Sequence, residues 1–510
     1  MNGSECLVGT LINHGVDLLF TNPGTSEVGL LAEIGSSEQI RAVPVLFEGI
    51  AAGAADGYFR MTGRPAATML HVGPGLANAW SALHNAAKAR SGVVNIVGQL
   101  SEAHLELESP LKSDILALAT SVSDVVRYPL STARVGIDAK AAADAAKRGK
   151  VATLVMANDV GWCDGAELAT PPEAQDADTH GALDPAAMTA LKQGPRTLLL
   201  LGGLALDVGA QRDAAAIASA TGCSVMIEWA SARCERGGDL PSWARIPYPV
   251  DEAVRALVAY DTIVLCGATE PIAFFNYCNS PSRLAAPSTR VIDLHPEGAD
   301  ERPALSAARR ALASDPARPC HPPAARYTYG APKSPDPVSA AIAAALPQDA
   351  IIVNEAITSA SDLFAASAAA PRHTWLDNLG GSIGFALPVS IGAAIGAPDR
   401  RVITLCGDGS TMYSPQGLWT IAREELDITV LVFANQAYKI LVSELVRTSD
   451  TNLDDQAVSL LQLNNPEIRW TELAHSLGVA STRVSSCDQL KSALMSAFGT
   501  KGPRLIEVAI

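Results

Sequence analysis

Short apolar runs separated by amphipathic or alanine-rich segments recur along the whole chain. VDLLF (16–20), AVPVLF (42–47), AATMLHV (66–72), VVNIVG (93–98) and ATLVMA (152–157) read as strands, with helices between them. Near-continuous apolar strands alternating with helices are what a parallel sheet covered on both faces requires. A second series follows at TLLLLGG (197–203), CSVMIEW (223–229), DTIVLCG (261–267) and TRVIDL (289–294). A third comprises IIVNE (351–355), RVITLCGDG (401–409), ITVLVFAN (428–435) and RLIEVAI (504–510), with helices expected at 384–396 and 415–425. Between the series, 164–195 and 317–337 lose their period and gather residues such as Pro, Asp and Gly, as linkers do. The pattern predicts an α/β chain of three domains with parallel sheets flanked by helices, at 1–165, 185–325 (a Rossmann-like middle domain) and 338–510.

Composition narrows the function. A chain of 510 residues exceeds one ordinary hydrophobic core, and 48% apolar residues with only 5% aromatics suit Ala- and Val-rich layers. The formal charge of −15, with no long Lys/Arg cluster to offset it, disfavours nucleic acid and anionic membrane surfaces. The apolar run at 197–206 is too short to cross a bilayer, and MNGSECLVGT lacks the pattern of a signal peptide. A cytoplasmic enzyme acting on a small molecule is expected. The nine cysteines have no CxxC spacing, so they read as buried small hydrophobes in place of a zinc site or disulfide framework.

Open parallel sheets bind ligands beyond the carboxyl ends of their strands, so polar residues just after each strand are the candidates. VITLC runs into Gly407-Asp408-Gly409-Ser410, and after a helix LVFAN ends at Asn435. An Asp and an Asn at one sheet edge offer the hard oxygens that Mg²⁺ prefers, while the amides of Gly409 and Ser410 lie ahead of a helix, where phosphate is favoured. Taken alone, GDGS also reads as an ordinary turn.

The spacing of these elements, with NEAITS (354–359) and GGSIGFALP (380–388), resembles the signature of thiamine-diphosphate-dependent enzymes of the acetolactate synthase-like and benzoylformate decarboxylase-like kind. The resemblance implies that Asp408, Asn435 and the carbonyl of Ala437 hold Mg²⁺. It places Thr358, Ser359, Gly409, Ser410 and Tyr438 on the cofactor, with Ile383 as the wedge that bends it. Gln436 departs from the family, in which a second Asn is common at that position. The first and last domains become pyrimidine-binding and diphosphate-binding domains.

In the first domain AVPVLF delivers Glu48 into a helix of small residues, EGIAAGAADGYFRMTG. A carboxylate in an apolar neighbourhood needs a partner, and the helix N-terminus is one candidate. By the resemblance, FEGIAAGAADGYFRMTGRP is instead the motif whose Glu hydrogen-bonds the cofactor's pyrimidine, joined by Pro23 and Asn78. The two halves of such a site come from different subunits, implying a homodimer at least and a homotetramer as the expected form.

For the substrate, Thr25, His71 and Gln99 stand at strand ends of the first domain. His71 is the acid–base candidate because His titrates near neutral pH, and its position resembles the catalytic His of benzoylformate decarboxylases. A structural role for this His is the competing reading. Thr25 takes the place of a substrate-binding Ser, though TNPGTSE also suits a turn and cap. Asn276 stands where those decarboxylases carry a second His, and Pro271, Phe274, Phe275 and Tyr277 are candidate pocket walls. His104 and Lys112 lie in a surface loop. Gly202-Gly203 lacks a complete GxGxxG, so FAD is not expected. The expected activity is 2-oxo acid decarboxylation with carboligase capability. The alternatives are an acetolactate synthase or a non-catalytic partner subunit of the same fold.

Overall fold

The computed structural model describes residues 1–170, 182–276, 278, 280–296, 298, 300–313, 335–448 and 455–510. They form two compact units, one of Met1–Gln175, Ala350–Ser361 and Asn378–Ile510, the other of Asp176–Asp349 and Asp362–Asp377.

In the first unit, strands β1 (Leu18–Thr21), β2 (Arg41–Pro44), β3 (Ala66–Leu70), β4 (Val93–Gln99), β5 (Val125–Arg127) and β6 (Val151–Ala157) form a parallel sheet in the order β2-β1-β3-β4-β6-β5. β3, β4 and β6 are buried along their whole length, which explains why their sequences are apolar runs without alternation. One face of the sheet packs Leu19, Met69, Val94, Ile96 and Leu154 with Leu7 and Leu11 of the helix Gly3–Asn13 and with Ala139 and Ala142 of Val135–Lys147. β2 stops at Pro44, earlier than the apolar pattern suggested, because the chain must turn there to start the helix Glu48–Thr62.

The second unit carries β7 (Thr197–Leu201), β8 (Ser224–Ile227), β10 (Ala244–Arg245), β11 (Thr262–Cys266) and β12 (Arg290–Asp293), parallel in the order β10-β8-β7-β11-β12. There β9 (Cys234–Arg236) pairs antiparallel with β14 (His373–Asp377). The core of this unit gathers Leu198, Leu200, Ile263, Leu265 and Tyr260.

The last third of the chain contributes a further parallel layer to the first unit. Strands β13 (Ala350–Glu355), β15 (Val402–Gly407), β16 (Ile428–Ala434), β17 (Ala480–Val484) and β18 (Arg504–Ala509) lie in the order β17-β18-β16-β15-β13. The two layers meet through a pair of helices, Glu48–Thr62 and Ala386–Gly396, that approach until backbone touches backbone. A methyl group at Gly57 would collide with the carbonyl of Val389, and one at Gly392 with the carbonyl of Ala54. Glycines at the crossing are what allow so close an approach. The alternation of strand and helix and the three sheets agree with the sequence-based expectation. Among the described residues no helix is long and apolar enough to cross a membrane.

Candidate active site

Glu48 is the first residue of its helix and only 7% exposed. Its oxygens accept from two side-chain amides, Asn22 Nδ2 to Oε1 at 3.2 Å and Asn78 Nδ2 to Oε2 at 2.9 Å. One amide comes from the end of β1 and the other from the helix Val72–Lys88, so three consecutive strand-end segments converge on this carboxylate. The neutral amides leave each oxygen a further acceptor position. Gly75 joins Glu48 to the neighbouring strand end, because a Cβ there would lie 3.6 Å from Glu48 Cγ and 3.5 Å from His71 Cβ.

His71 precedes the helix Val72–Lys88, and Val72 has φ +42°, a strained value for a β-branched residue. The ring is held at Nδ1, which lies 2.9 Å from Ser26 Oγ and 3.0 Å from Glu27 Oε2. Gln99 ends β4 and is buried, and its side-chain oxygen accepts from the amide of Leu100 at 2.9 Å.

In the second layer β15 runs into Asp408, which is 2% exposed. Its Oδ1 accepts from Gly409 N at 2.8 Å and its Oδ2 from Gln436 N at 2.6 Å. Burial pushes the Asp408 carboxyl above its usual range despite these bonds. Asn435, just past β16, accepts from Ala437 N at Oδ1 (3.0 Å) and donates to Ser359 Oγ at 3.2 Å, tying the loop after β13 to the loop after β16. Both loops are strained, with Ile357 at φ +45° and Gln436 at φ +54°. The ring of Tyr438 closes over Gly409, where a Cβ would stand 2.6 Å from it. Asp408, Asn435 and Ala437 thus offer one carboxylate, one amide oxygen and one carbonyl on adjoining strand ends, a donor set that could hold a hard, oxygen-seeking cation. Ile383, Phe47, Gly49, Asn85, Phe385 and Tyr413 line a cavity of about 120 Å³ in the same unit.

Residues 1–118 match the N-terminal TPP binding domain of thiamine pyrophosphate enzymes, and residues 358–508 match the C-terminal TPP binding domain. A protein of Mycobacterium tuberculosis, provisionally described as an acetolactate synthase large subunit, is 40% identical over 100% of this chain and 99% of its own length. The chain belongs to the thiamine pyrophosphate enzyme family. A benzoylformate decarboxylase of Pseudomonas aeruginosa is 26% identical over 98% of this chain and 97% of its own. A solved structure, the thiamine diphosphate-dependent 4-hydroxybenzoylformate decarboxylase of Rhodococcus jostii RHA1, superimposes with a TM-score of 0.83 at 25% identity, covering 100% of this chain and 99% of that one. The fold and the enzyme class implied by the sequence motifs therefore hold.

Within this thiamine diphosphate enzyme the structure groups Glu48 with Asn78, His71 near Glu48, and Asp408 with Gly409, Asn435, Ala437, Tyr438 and Ser359. Ser410 is buried and donates to the carbonyl of Gly407. Thr358 stands half-buried beside Ser359. Pro23 and Thr25 are exposed, and the neighbouring Ser26, in place of Thr25, is the hydroxyl that reaches His71. Asn276 belongs to the second unit, where it is exposed and accepts from Ser282 Oγ at 3.5 Å. Tyr277 lies outside the described residues.

Four polar residues escaped the reading of the sequence: Asn22, Ser26, Glu27 and Glu355. The first three sit in TNPGTSE, whose turn character masked them. Glu355 lies inside NEAITS and is buried at the end of β13, its oxygens accepting from Phe385 N and Ala386 N at 3.0 Å each. Burial raises its carboxyl to about 7, and these backbone donors only partly offset the effect.

Proposed function

We propose that this thiamine diphosphate enzyme decarboxylates a 2-oxo acid and can join the resulting fragment to an aldehyde or a second oxo acid. The observation that carries the proposal is the approach of Glu48 and His71 to the same glycine, Gly75, which sets a carboxyl group and an imidazole beside each other. The decarboxylase names of two relatives support it. Thiamine diphosphate supplies, when bound, a carbon nucleophile and an electron sink for chemistry next to a carbonyl.

The residues present suit that group. Glu48 has free acceptor positions for an N–H donor such as the aminopyrimidine, Asn78 donates to it, and Pro23 would stand beside the ring. Asp408, Asn435 and the Ala437 carbonyl would hold Mg²⁺, with Thr358, Ser359, Gly409, Ser410 and Tyr438 around the diphosphate and Ile383 beneath. His71 would move a proton to or from the substrate, and Gln99 and Thr25 would stand at the strand ends around it. FAD does not enter this reading, because Gly202-Gly203 lacks a complete GxGxxG.

A second reading, acetolactate synthesis from pyruvate, is favoured by the 40% identical relative. Incubating the protein with thiamine diphosphate, Mg²⁺ and either benzoylformate or pyruvate separates the two. Free aldehyde with carbon dioxide supports decarboxylation, and acetolactate supports the second reading. Absence of both products across a panel of 2-oxo acids overturns both.

A further inference from the structure

Behind His71 lies a built polar cluster that the motifs do not account for. Ser26 Oγ donates to Glu27 Oε1 at 2.6 Å, and its oxygen stands 2.9 Å from His71 Nδ1, which in turn is 3.0 Å from Glu27 Oε2. Glu27 is buried, its side chain 2% exposed, whereas that of His71 is 22% exposed. The chain is carved to admit both groups. A methyl at Gly98 would overlap the Glu27 carboxylate, and one at Gly24 would overlap the His71 ring. A buried carboxylate is costly unless it is hydrogen-bonded, and Ser26 and His71 supply donors to both of its oxygens. A cavity of about 20 Å³, lined by Ser4, Ser26, Glu27, Asn158 and Gly161 among others, adds room for one water beside the carboxylate.

The donor inventory then fixes the imidazole. The Ser26 proton is committed to Glu27, so both groups facing Nδ1 are acceptors and Nδ1 must carry the proton. Among the described residues nothing bonds Nε2, which leaves it as the nitrogen with the open lone pair.

We propose that Glu27 is a positioning residue: with Ser26 it holds the proton on His71 Nδ1, so that Nε2 is the nitrogen that exchanges protons with substrate. The proposal rests on the reading of His71 as the acid–base group. A carboxylate behind an imidazole serves in this way wherever a single tautomer is needed, and an amide in its place can donate to Nδ1 and drive the proton to the other nitrogen.

The test compares full-length wild type, Glu27→Gln and His71→Ala, each saturated with thiamine diphosphate and Mg²⁺, with cofactor-induced quenching of tryptophan fluorescence as the check of folding. ¹⁵N NMR of histidine-labelled protein, with the His71 signal identified by its loss in His71→Ala, reads the tautomer directly. Turnover of benzoylformate and pyruvate reads the function. Wild type is expected to show a protonated Nδ1 and a free Nε2, and Glu27→Gln to exchange them while kcat falls about 100-fold, the scale of one general acid–base contribution. A free Nδ1 in the wild type, or an unchanged tautomer in Glu27→Gln whatever its rate, overturns the proposal. So does a changed tautomer with kcat within about twofold of wild type. If His71→Ala itself turns over like wild type, the acid–base reading of His71 fails, which is a separate result from a failure confined to Glu27→Gln.

Discussion

Glu48 enters its helix with both oxygens already engaged, Oε1 by Asn22 and Oε2 by Asn78, so its orientation is set before any ligand arrives. Amide donors hold the carboxylate and leave acceptor positions open, which suits the proposed hydrogen bond from an N–H. Replacing Glu48 with Gln keeps the shape and removes the charge. Turnover should fall by about 10²–10⁴-fold while Mg²⁺-dependent cofactor binding, followed by fluorescence titration, changes little. Unchanged turnover would contradict the role given to this carboxylate. Glu355 is the opposite kind of acid, buried against backbone amides with a carboxyl raised from 4.5 to about 7. Because its folded value is raised, the folded state favours the protonated form. Its contribution to stability is therefore fully present below the unfolded value and is lost as pH climbs to about 7, by roughly 3 kcal/mol in total. Relative to Glu355→Gln, the thermal midpoint of the wild type should fall between about pH 5 and about pH 8. Parallel curves for the two proteins would show that Glu355 does not titrate in this way.

The strand-end rule made much of the candidate site readable. Glu48, His71, Gln99, Asp408 and Asn435 each follow or close an apolar strand, and a parallel sheet presents such positions together on one edge. Glu27 and Ser26 could not be read this way, because their partner His71 is more than forty residues away along the chain and periodicity carries no record of which strand ends become neighbours. The strands β5, β9, β10, β14 and β17 were invisible for a different reason. VVR, CER, AR, HTWLD and ASTRV are short runs broken by charged residues, so no apolar stretch stands out in them. The crossing of Glu48–Thr62 with Ala386–Gly396 was likewise hidden, since glycines in EGIAAGAADG give no indication of what they touch. Gly392→Ala should destabilise the protein by about 1–3 kcal/mol, because the added methyl must push the two backbones apart. Chemical denaturation compares the variant with wild type, and an equal midpoint would mean the helices separate at no cost.

At the scale of the whole molecule, Glu48 and Asp408 of one chain can serve one site or two. The family resemblance points to two, with Glu48 of each subunit completing the diphosphate site of another in a homodimer or larger assembly. Glu48→Gln and Asp408→Ala, each inactive alone, decide this when mixed under subunit exchange. Composite sites regain activity, since one site of each mixed dimer receives both native residues. Sites contained within single chains leave the mixture dead. Asp408→Ala should also lose Mg²⁺-dependent cofactor affinity, which Glu48→Gln keeps, so titration identifies each protein in the mixture. The glycine crossing bears on how this chain would look to genetics. Gly53, Gly57 and Gly392 contact the opposing helix where no side chain fits. A complete survey of substitutions would find them as intolerant as Glu48 or Asp408, and a map of such intolerance would mark a seam between two layers as though it were a place where chemistry happens.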